Sequence, residues 1–335
     1  MWREIKNIID NSKRFILTTH VNPDGDGIGT ACALIELLLA KGKEVRFVCD
    51  SPMPKKFSFL DFHHLYEPYC PESNYSDADV LIILDAHRKE RIGRMATLLD
   101  HPSLCVICID HHEIVEHLTP YLAIDPKACC VGALIYDLFE EYQFPLNLNA
   151  AMGIYTSILC DTGRFCYSST GLEAHKIAEE CIKLGVDPDG MYSRLFQHVP
   201  LSEVKMFAKA LETMEIYLDN RVIIEKIRLA DCENTGTHPM DLEHIDLDYI
   251  HDFNKLIEDV ECVVLLRELP EGQVRVSLRS TSNLDVGKLL LAAGGGGHSR
   301  AAGAIWQGSL LDAKKRILIL LQEAFASDLH KLAIC

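Results

Sequence analysis

The segment His20-Val21-Asn22-Pro23-Asp24-Gly25-Asp26-Gly27 constrains this chain more than any other. A run of strand formers, Phe15 to Thr19, leads into it, and an apolar helical pattern, Ile28 to Ala40, leads out. It reads as the loop at the carboxyl end of a strand, where open α/β sheets hold their ligands. Pro23 and the glycines fix tight backbone bends. A histidine and two carboxylates on one short, stiff loop repel and desolvate one another unless a cation sits among them. The alternative is an ordinary Asp-Gly turn carrying a histidine, so the rest of the chain has to decide.

The same arrangement recurs. The continuous apolar run Val80 to Leu84 stops at Asp85, the pattern of a central parallel strand with a carboxylate at its tip. Leu104 to Ile109 stops at Asp110-His111-His112, and a helix over Ala150 to Cys160 runs into Asp161. Singly, Asp85 could cap a turn and Asp161 could end its helix in an Asx-turn. Buried strands do not need such polar ends, whereas several tips converging on one site do. An Asp beside the negative pole of a helix is also unfavourable until a cation relieves it. His20, Asp24, Asp26, Asp85, His111 and Asp161, with His112 beside them, over-supply one divalent ion. Two ions about 3.5–4 Å apart, sharing one carboxylate, fit this set better. Mixed oxygen and nitrogen donors favour Mn²⁺ over Mg²⁺ or Ca²⁺, and the lack of thiolates argues against structural zinc.

Later the periodicity changes. Glu215 to Leu218, Val222 to Leu229, Cys262 to Leu266 and Val274 to Leu278 read as strands after a helical stretch, Met191 to Ala210. The expected division is a catalytic domain over 1–190, a helical linker over 191–213 and a second domain over 214–335. The fold class is α/β: an N-terminal parallel-sheet domain and a smaller α/β C-terminal domain. In the second domain, Gly294-Gly295-Gly296-Gly297-His298-Ser299-Arg300 offers converging backbone N–H groups that suit a phosphate or carboxylate. A flexible linker is the alternative, but the apolar strand Ala304 to Trp306 follows at once. A last helix is read over Leu311 to Leu329. His63-His64 reads as a surface pair, and Arg164 and the Ser168 region are weaker candidates for substrate contact.

Composition limits the partners. With 48% hydrophobic and 24% charged residues among 335, the chain can bury a core. A net charge of −16 disfavours long duplex nucleic acid but allows a small anionic substrate at a locally cationic site. No apolar run reaches the roughly 18–20 residues of a membrane span, and the first residues lack a signal-peptide core, so a cytoplasmic protein is expected. The thirteen cysteines include Cys105-Val106-Ile107-Cys108, whose ends face opposite sides of a strand. Most of the thirteen read as small buried hydrophobes.

These residues resemble the DHH phosphoesterases. His20-Val21-Asn22-Pro23-Asp24-Gly25-Asp26, Asp85, Asp110-His111-His112 and Asp161 match the family's four motifs in order. Gly294-Gly295-Gly296-Gly297-His298 matches the glycine motif of the DHH-associated C-terminal domain. Length and domain pairing look most like the NrnA-type oligoribonucleases, a branch that also removes phosphate from 3′-phosphoadenosine 5′-phosphate. The resemblance implies that His20 and Asp24 hold one metal, that Asp26, His111 and Asp161 hold a second, and that Asp85 bridges both. It implies that Asp110 orients its neighbours and that His112 faces the substrate as phosphate ligand or proton donor. Arg279, Gly296, Gly297, His298 and Arg300 would grip the nucleotide, so the active site would lie in the cleft between the domains, which would close on binding. The implied cofactors are two divalent cations, Mn²⁺ ahead of Mg²⁺. The implied substrate is short single-stranded RNA or a small nucleotide, with a homodimer left open. A pyrophosphatase or exopolyphosphatase activity, a RecJ-type exonuclease and a non-catalytic nucleotide-binding regulator are the rival readings.

Overall fold

A computed structural model describes residues 1–75, 77–114, 116–197, 199–242, 248–297 and 299–332, with side chains at all of these except 241, 248, 252 and 327–332. The chain divides into two compact units, residues 1–198 and 199–335.

The first unit holds α1 (Trp2–Asn11), β1 (Arg14–Thr18), α2 (Gly25–Ala40), β2 (Glu44–Cys49), β3 (Tyr66–Pro68) and β4 (Val80–Leu84). It continues through β5 (Cys105–Asp110), β6 (Tyr121–Ile124), α3 (Val131–Tyr142), α4 (Leu148–Asp161), α5 (Leu172–Lys183) and α6 (Pro188–Phe196). Its six strands run parallel in the order β3-β2-β1-β4-β5-β6. All-parallel sheets are covered on both faces, which is why β4 is buried at every position. One face packs on α1 to α5 through Phe15, Leu17, Ile82 and Ile109. The other packs Ile16, Leu81, Ile83 and Val106 against Ile92 and Met95.

Helix α2 is buried from Gly25 through Leu38, as a helix apolar on all sides must be. Asp24 caps it, accepting from the N–H groups of Asp26 at 2.9 Å and Gly27 at 3.3 Å. Helix α4 begins at Asn147, whose side chain accepts from the N–H of Ala150 at 2.8 Å. The two helices cross backbone to backbone. A Cβ on Gly29 would lie 2.3 Å from the Gly153 carbonyl oxygen, and one on Gly153 would lie 2.4 Å from that of Gly29. Only glycine at both positions permits this approach.

Several elements differ from the reading by periodicity. The helix read over Met191 to Ala210 is two, α6 and α7 (Leu201–Glu212), because Gln197 is extended and Pro200 caps the second. The edge strands β3 and β6 and the 3₁₀ segment Lys89–Leu98 lie where no regular element was read. His63 is tied down: its Nε2 lies 2.6 Å from the buried carboxylate of Glu36.

The second unit comprises α7, β7 (Glu215–Tyr217), β8 (Val222–Ile227), α8 (Asp231–Thr235), α9 (Asp248–Asn254) and β9 (Cys262–Leu269). After these come β10 (Gln273–Ser280), α10 (Val286–Leu291), β11 (Gly296–Gly297), β12 (Ala301–Gln307) and α11 (Leu310–Leu332). Its mixed sheet runs β11-β12-β10-β9-β8-β7, parallel only between β8 and β9. Val264, Leu266, Val276 and Leu278 pack against Ile317 and Leu321 of α11. Among the described residues, no helix is long and apolar enough to cross a membrane.

Candidate metal centre

The tips of β1, β4 and β5 deliver their polar residues to one end of the parallel sheet. His20 is buried just past β1, and its Nδ1 lies 2.9 Å from the carbonyl oxygen of Val21. That contact assigns the ring proton to Nδ1 and leaves Nε2 as a lone pair. Nε2 then lies 3.3 Å from Asp85 Oδ2 and 3.5 Å from Asp24 Oδ1. His111 repeats the pattern. Its Nδ1 is 3.2 Å from the carbonyl oxygen of Ala128, and its Nε2 faces Asp161 Oδ2 at 3.2 Å, Asp26 Oδ2 at 3.6 Å and Asp85 Oδ1 at 3.9 Å.

Asp85 lies between the two groups, one oxygen toward each. Its backbone is left-handed, φ 56°, held by its N–H donating to the carbonyl of Ile109 at 3.0 Å. Asp and Asn tolerate this region better than other residues with a Cβ. Asp26 sits in the first turn of α2. It accepts from the N–H groups of Val131 and Gly132 at the start of α3, and from the Ser157 hydroxyl at 2.5 Å. A helix N-terminus is a natural partner for a carboxylate. Ser157 lies on α4, so the Gly29–Gly153 crossing is what brings Asp26 and Asp161 together.

Charge explains what such a cluster lacks. Burial, then the neighbouring charge of Asp85, push the Asp26 carboxyl well above the ordinary carboxylate range. Burial opposes protonation of His20, but the nearby Asp24 and Asp85 carboxylates outweigh it and raise the ring to about 10. His20 Nε2, His111 Nε2 and Asp85 Oδ1 are buried and hydrogen-bond to nothing among the described residues. Leaving such atoms unpaired costs about 1–3 kcal/mol each. Divalent cations would satisfy all three. The ligand atoms fall into groups within 4.8 Å of one another: His20, Asp24 and Asp85 in one, Asp26, His111 and Asp161 in another. The residues therefore fit a pair of ions with Asp85 reaching both groups.

Asp110 also lies within 4.8 Å, ligand atom to ligand atom, of Asp85, His111 and His112, but its oxygens are taken up by hydrogen bonds. Its Oδ1 accepts from the N–H groups of His111 at 2.7 Å and His112 at 3.2 Å, and His112 Nδ1 is 2.7 Å away. Burial works against its charge, but hydrogen bonds from His112 and His87 hold it well below the usual carboxylate range. His87 was missed as a site residue in the sequence. The sequence shows only a lone histidine two places beyond a strand-tip Asp, which by itself points to no partner.

The second-unit candidates gather at one end of its sheet. Arg279 pairs with Ala301 and Gly297 with Ala302, while the N–H of Ser280 donates to the carbonyl of Arg300 at 2.9 Å. Gly297 has φ 144°, and a Cβ there would lie 2.4 Å from the Ala301 carbonyl oxygen. Gly295 is pressed on Gly303 in the same way, whereas Gly296 faces open space. Two of the glycines are thus required by packing alone. His298 lies outside the described residues.

Residues 14–160 match the DHH family N-terminal domain, and residues 233–327 match the DHHA1 domain. The chain carries a DHH domain followed by a DHHA1 domain. The bifunctional oligoribonuclease and PAP phosphatase NrnA of Thermus thermophilus is 29% identical over 309 residues, covering 92% of this chain and 89% of that protein. An exopolyphosphatase-related protein from Bacteroides fragilis shares the fold, with TM-score 0.87 at 23% identity over 97% of this chain and 95% of its own. RecJ of Thermus thermophilus, solved in complex with Mn²⁺, has TM-score 0.51 at 16% identity, and the match spans 96% of this chain and about half of RecJ, 54%. The candidate metal centre lies within the DHH domain, apart from Asp161, one residue beyond the matched range.

Proposed function

We propose that this DHH-family phosphoesterase hydrolyses short oligoribonucleotides and removes phosphate from 3′-phosphoadenosine 5′-phosphate. The observation that carries the reading is Asp85, which turns one carboxylate oxygen toward each of two ligand groups whose histidine Nε2 atoms are buried and unpaired. The likeness to the NrnA protein of Thermus thermophilus, over nearly the full length of both chains, supports the substrate class.

His20 and Asp24 would hold one divalent cation, Asp26, His111 and Asp161 a second, and Asp85 both. When bound, such a pair supplies an activated water and offsets charge on the phosphoryl oxygens. Mn²⁺ suits the mixed nitrogen and oxygen donors better than Mg²⁺. The remaining steps belong to the chain itself. Asp110 fixes the His112 ring by accepting at Nδ1, so Nε2 is the atom left to hand a proton to the leaving oxygen. Arg279, Gly296, Gly297, His298 and Arg300 recognise the nucleotide and its terminal phosphate. We assign catalysis to residues 1–190 and recognition to 214–335, with residues 191–213 between them.

The test is a turnover panel with Mn²⁺: pyrophosphate, 3′-phosphoadenosine 5′-phosphate, RNA of two to five nucleotides, longer single strands and cyclic dinucleotides. Highest kcat/KM on the short RNA and the bisphosphate nucleotide is the expected result. Preference for pyrophosphate would overturn the reading. Activity abolished by chelation should return with Mn²⁺ and not with Ca²⁺.

A further inference from the structure

Asp110 uses its two oxygens differently. Oδ1 takes the N–H groups of His111 and His112 and the His112 ring. Oδ2 faces a single ring, His87, whose Nδ1 is 2.5 Å away. His87 is buried, and its Nε2 hydrogen-bonds to nothing among the described residues. A lone pair at Nδ1 would repel the carboxylate at this distance, so the proton lies on Nδ1 and His87 donates. The backbone sets its aim. Asp85 N–H donates to Ile109, and the Cys108 thiol donates to the Ala86 carbonyl at 3.3 Å. The loop carrying His87 is therefore fastened to β5, the strand that carries Asp110.

Such a histidine is a poor filler. Its unpaired buried nitrogen carries a desolvation cost that an apolar residue of like volume would avoid. What it provides is a second clamp on Asp110. With Oδ2 held, the carboxylate cannot rotate away from His112 without stranding a buried donor.

We propose that His87 is a positioning residue for His112, acting through Asp110. This rests on the reading of His112 as proton donor. With Nδ1 committed to Asp110, His112 Nε2 gives its proton to the leaving oxygen as the phosphorus–oxygen bond breaks, and the electron pair of that bond stays on the oxygen. His87 itself touches neither substrate nor reacting atoms. Its contribution is to keep one orientation of the Asp110–His112 pair populated.

The test compares two substrates: an RNA dinucleotide, whose alkoxide leaving group needs a proton, and a nucleoside 5′-(p-nitrophenyl phosphate), whose leaving group does not. His87→Leu should lower kcat on the dinucleotide by about 10- to 100-fold, with KM and the calorimetric Mn²⁺ dissociation constant within about threefold. On the aryl ester the loss should stay under about threefold. His87→Asn, whose amide nitrogen can stand where Nδ1 stood, should recover dinucleotide turnover to within about threefold. His87→Gln, whose amide nitrogen falls nearer the Nε2 position, should not, and it replaces the leucine variant if that fails to fold. Equal losses on both substrates, or no advantage of Asn over Gln, would overturn the proposal. His112→Asn is the control. If its own loss is equal on both substrates, the proton-donor reading fails and the proposal falls with it. If it depends on the leaving group and the His87 variants do not, His87 alone is wrongly assigned.

Discussion

His20 Nε2 stands 3.3 Å from Asp85 Oδ2, yet no hydrogen bond joins them. The two are held close by separate anchors: the His20 ring by the Val21 carbonyl, the Asp85 backbone by that of Ile109. Once His20 gives up the proton that the neighbouring carboxylates hold on it, both turn lone pairs to a shared space. That is what a cation site requires and what an ion pair built for stability would avoid.

Asp85→Asn should therefore lower kcat/KM on short RNA by about a thousandfold or more while leaving the fold intact, since Asn tolerates the left-handed backbone. Asp85→Val should lose activity equally and also lose about 1–3 kcal/mol of stability. Steady-state kinetics and thermal melts separate the two effects. Near-wild-type turnover of either variant would remove Asp85 from the shared position.

Metal-free protein should become less stable as pH rises. Asp26 binds its proton more tightly folded, with its carboxyl pushed up to about 7, than unfolded, near 3.8, so stability falls with pH across that interval. His20 has the same sign, because the folded ring titrates near 10 and the unfolded one near 6.5. Its contribution is complete below 6.5 and is lost as pH climbs through 10. Melting midpoints in chelator should decline from pH 5 to pH 9. Saturating Mn²⁺ displaces these protons and should flatten or reverse the trend. A midpoint in chelator that climbs with pH would contradict the charge balance described for the cluster.

Gly29→Ala and Gly153→Ala each place a methyl group against a facing carbonyl. Either should cost about 1–3 kcal/mol by overpacking. Because this crossing brings Asp26 and Asp161 together, Mn²⁺ affinity should also fall, by about tenfold or more. Calorimetric titration of folded variants is the measurement. Unchanged affinity would mean that the helices adjust without moving the carboxylates.

Arg300→Ala should raise KM for short RNA and 3′-phosphoadenosine 5′-phosphate more than for an aryl phosphodiester that lacks a terminal phosphate. Equal effects on both would argue against a phosphate grip.

The acidic strand tips were legible because an apolar run ending in a ligand-type residue is unusual in a buried parallel sheet. Asp85 and Asp110 came from that signal, and so did the α/β class; Asp161 came from a carboxylate at the unfavourable end of a helix. The edge strands β3 and β6 were not legible. Tyr66–Pro68 and Tyr121–Ile124 are short and only partly buried, so they carry no sustained period. The break before Pro200 was passed over because apolar spacing continues across it in Met191, Leu195, Val204 and Met206. The glycines before His298 looked like an anion nest, but Gly295 and Gly297 are also fixed by close packing on β12, a tertiary fact with no local signature. His87 went unread because one histidine beside two arginines gives no pattern until its partner Asp110 is in place.

The left-handed backbone of Asp85 bears on how this scaffold can diverge. Aspartate and asparagine codons differ by a single base, and both residues accept that conformation. One transition mutation can therefore remove the Asp85 carboxylate without disturbing the sheet, the crossing helices or the second unit. A lineage that duplicated this gene would have a short route to a copy that still folds but no longer turns over substrate.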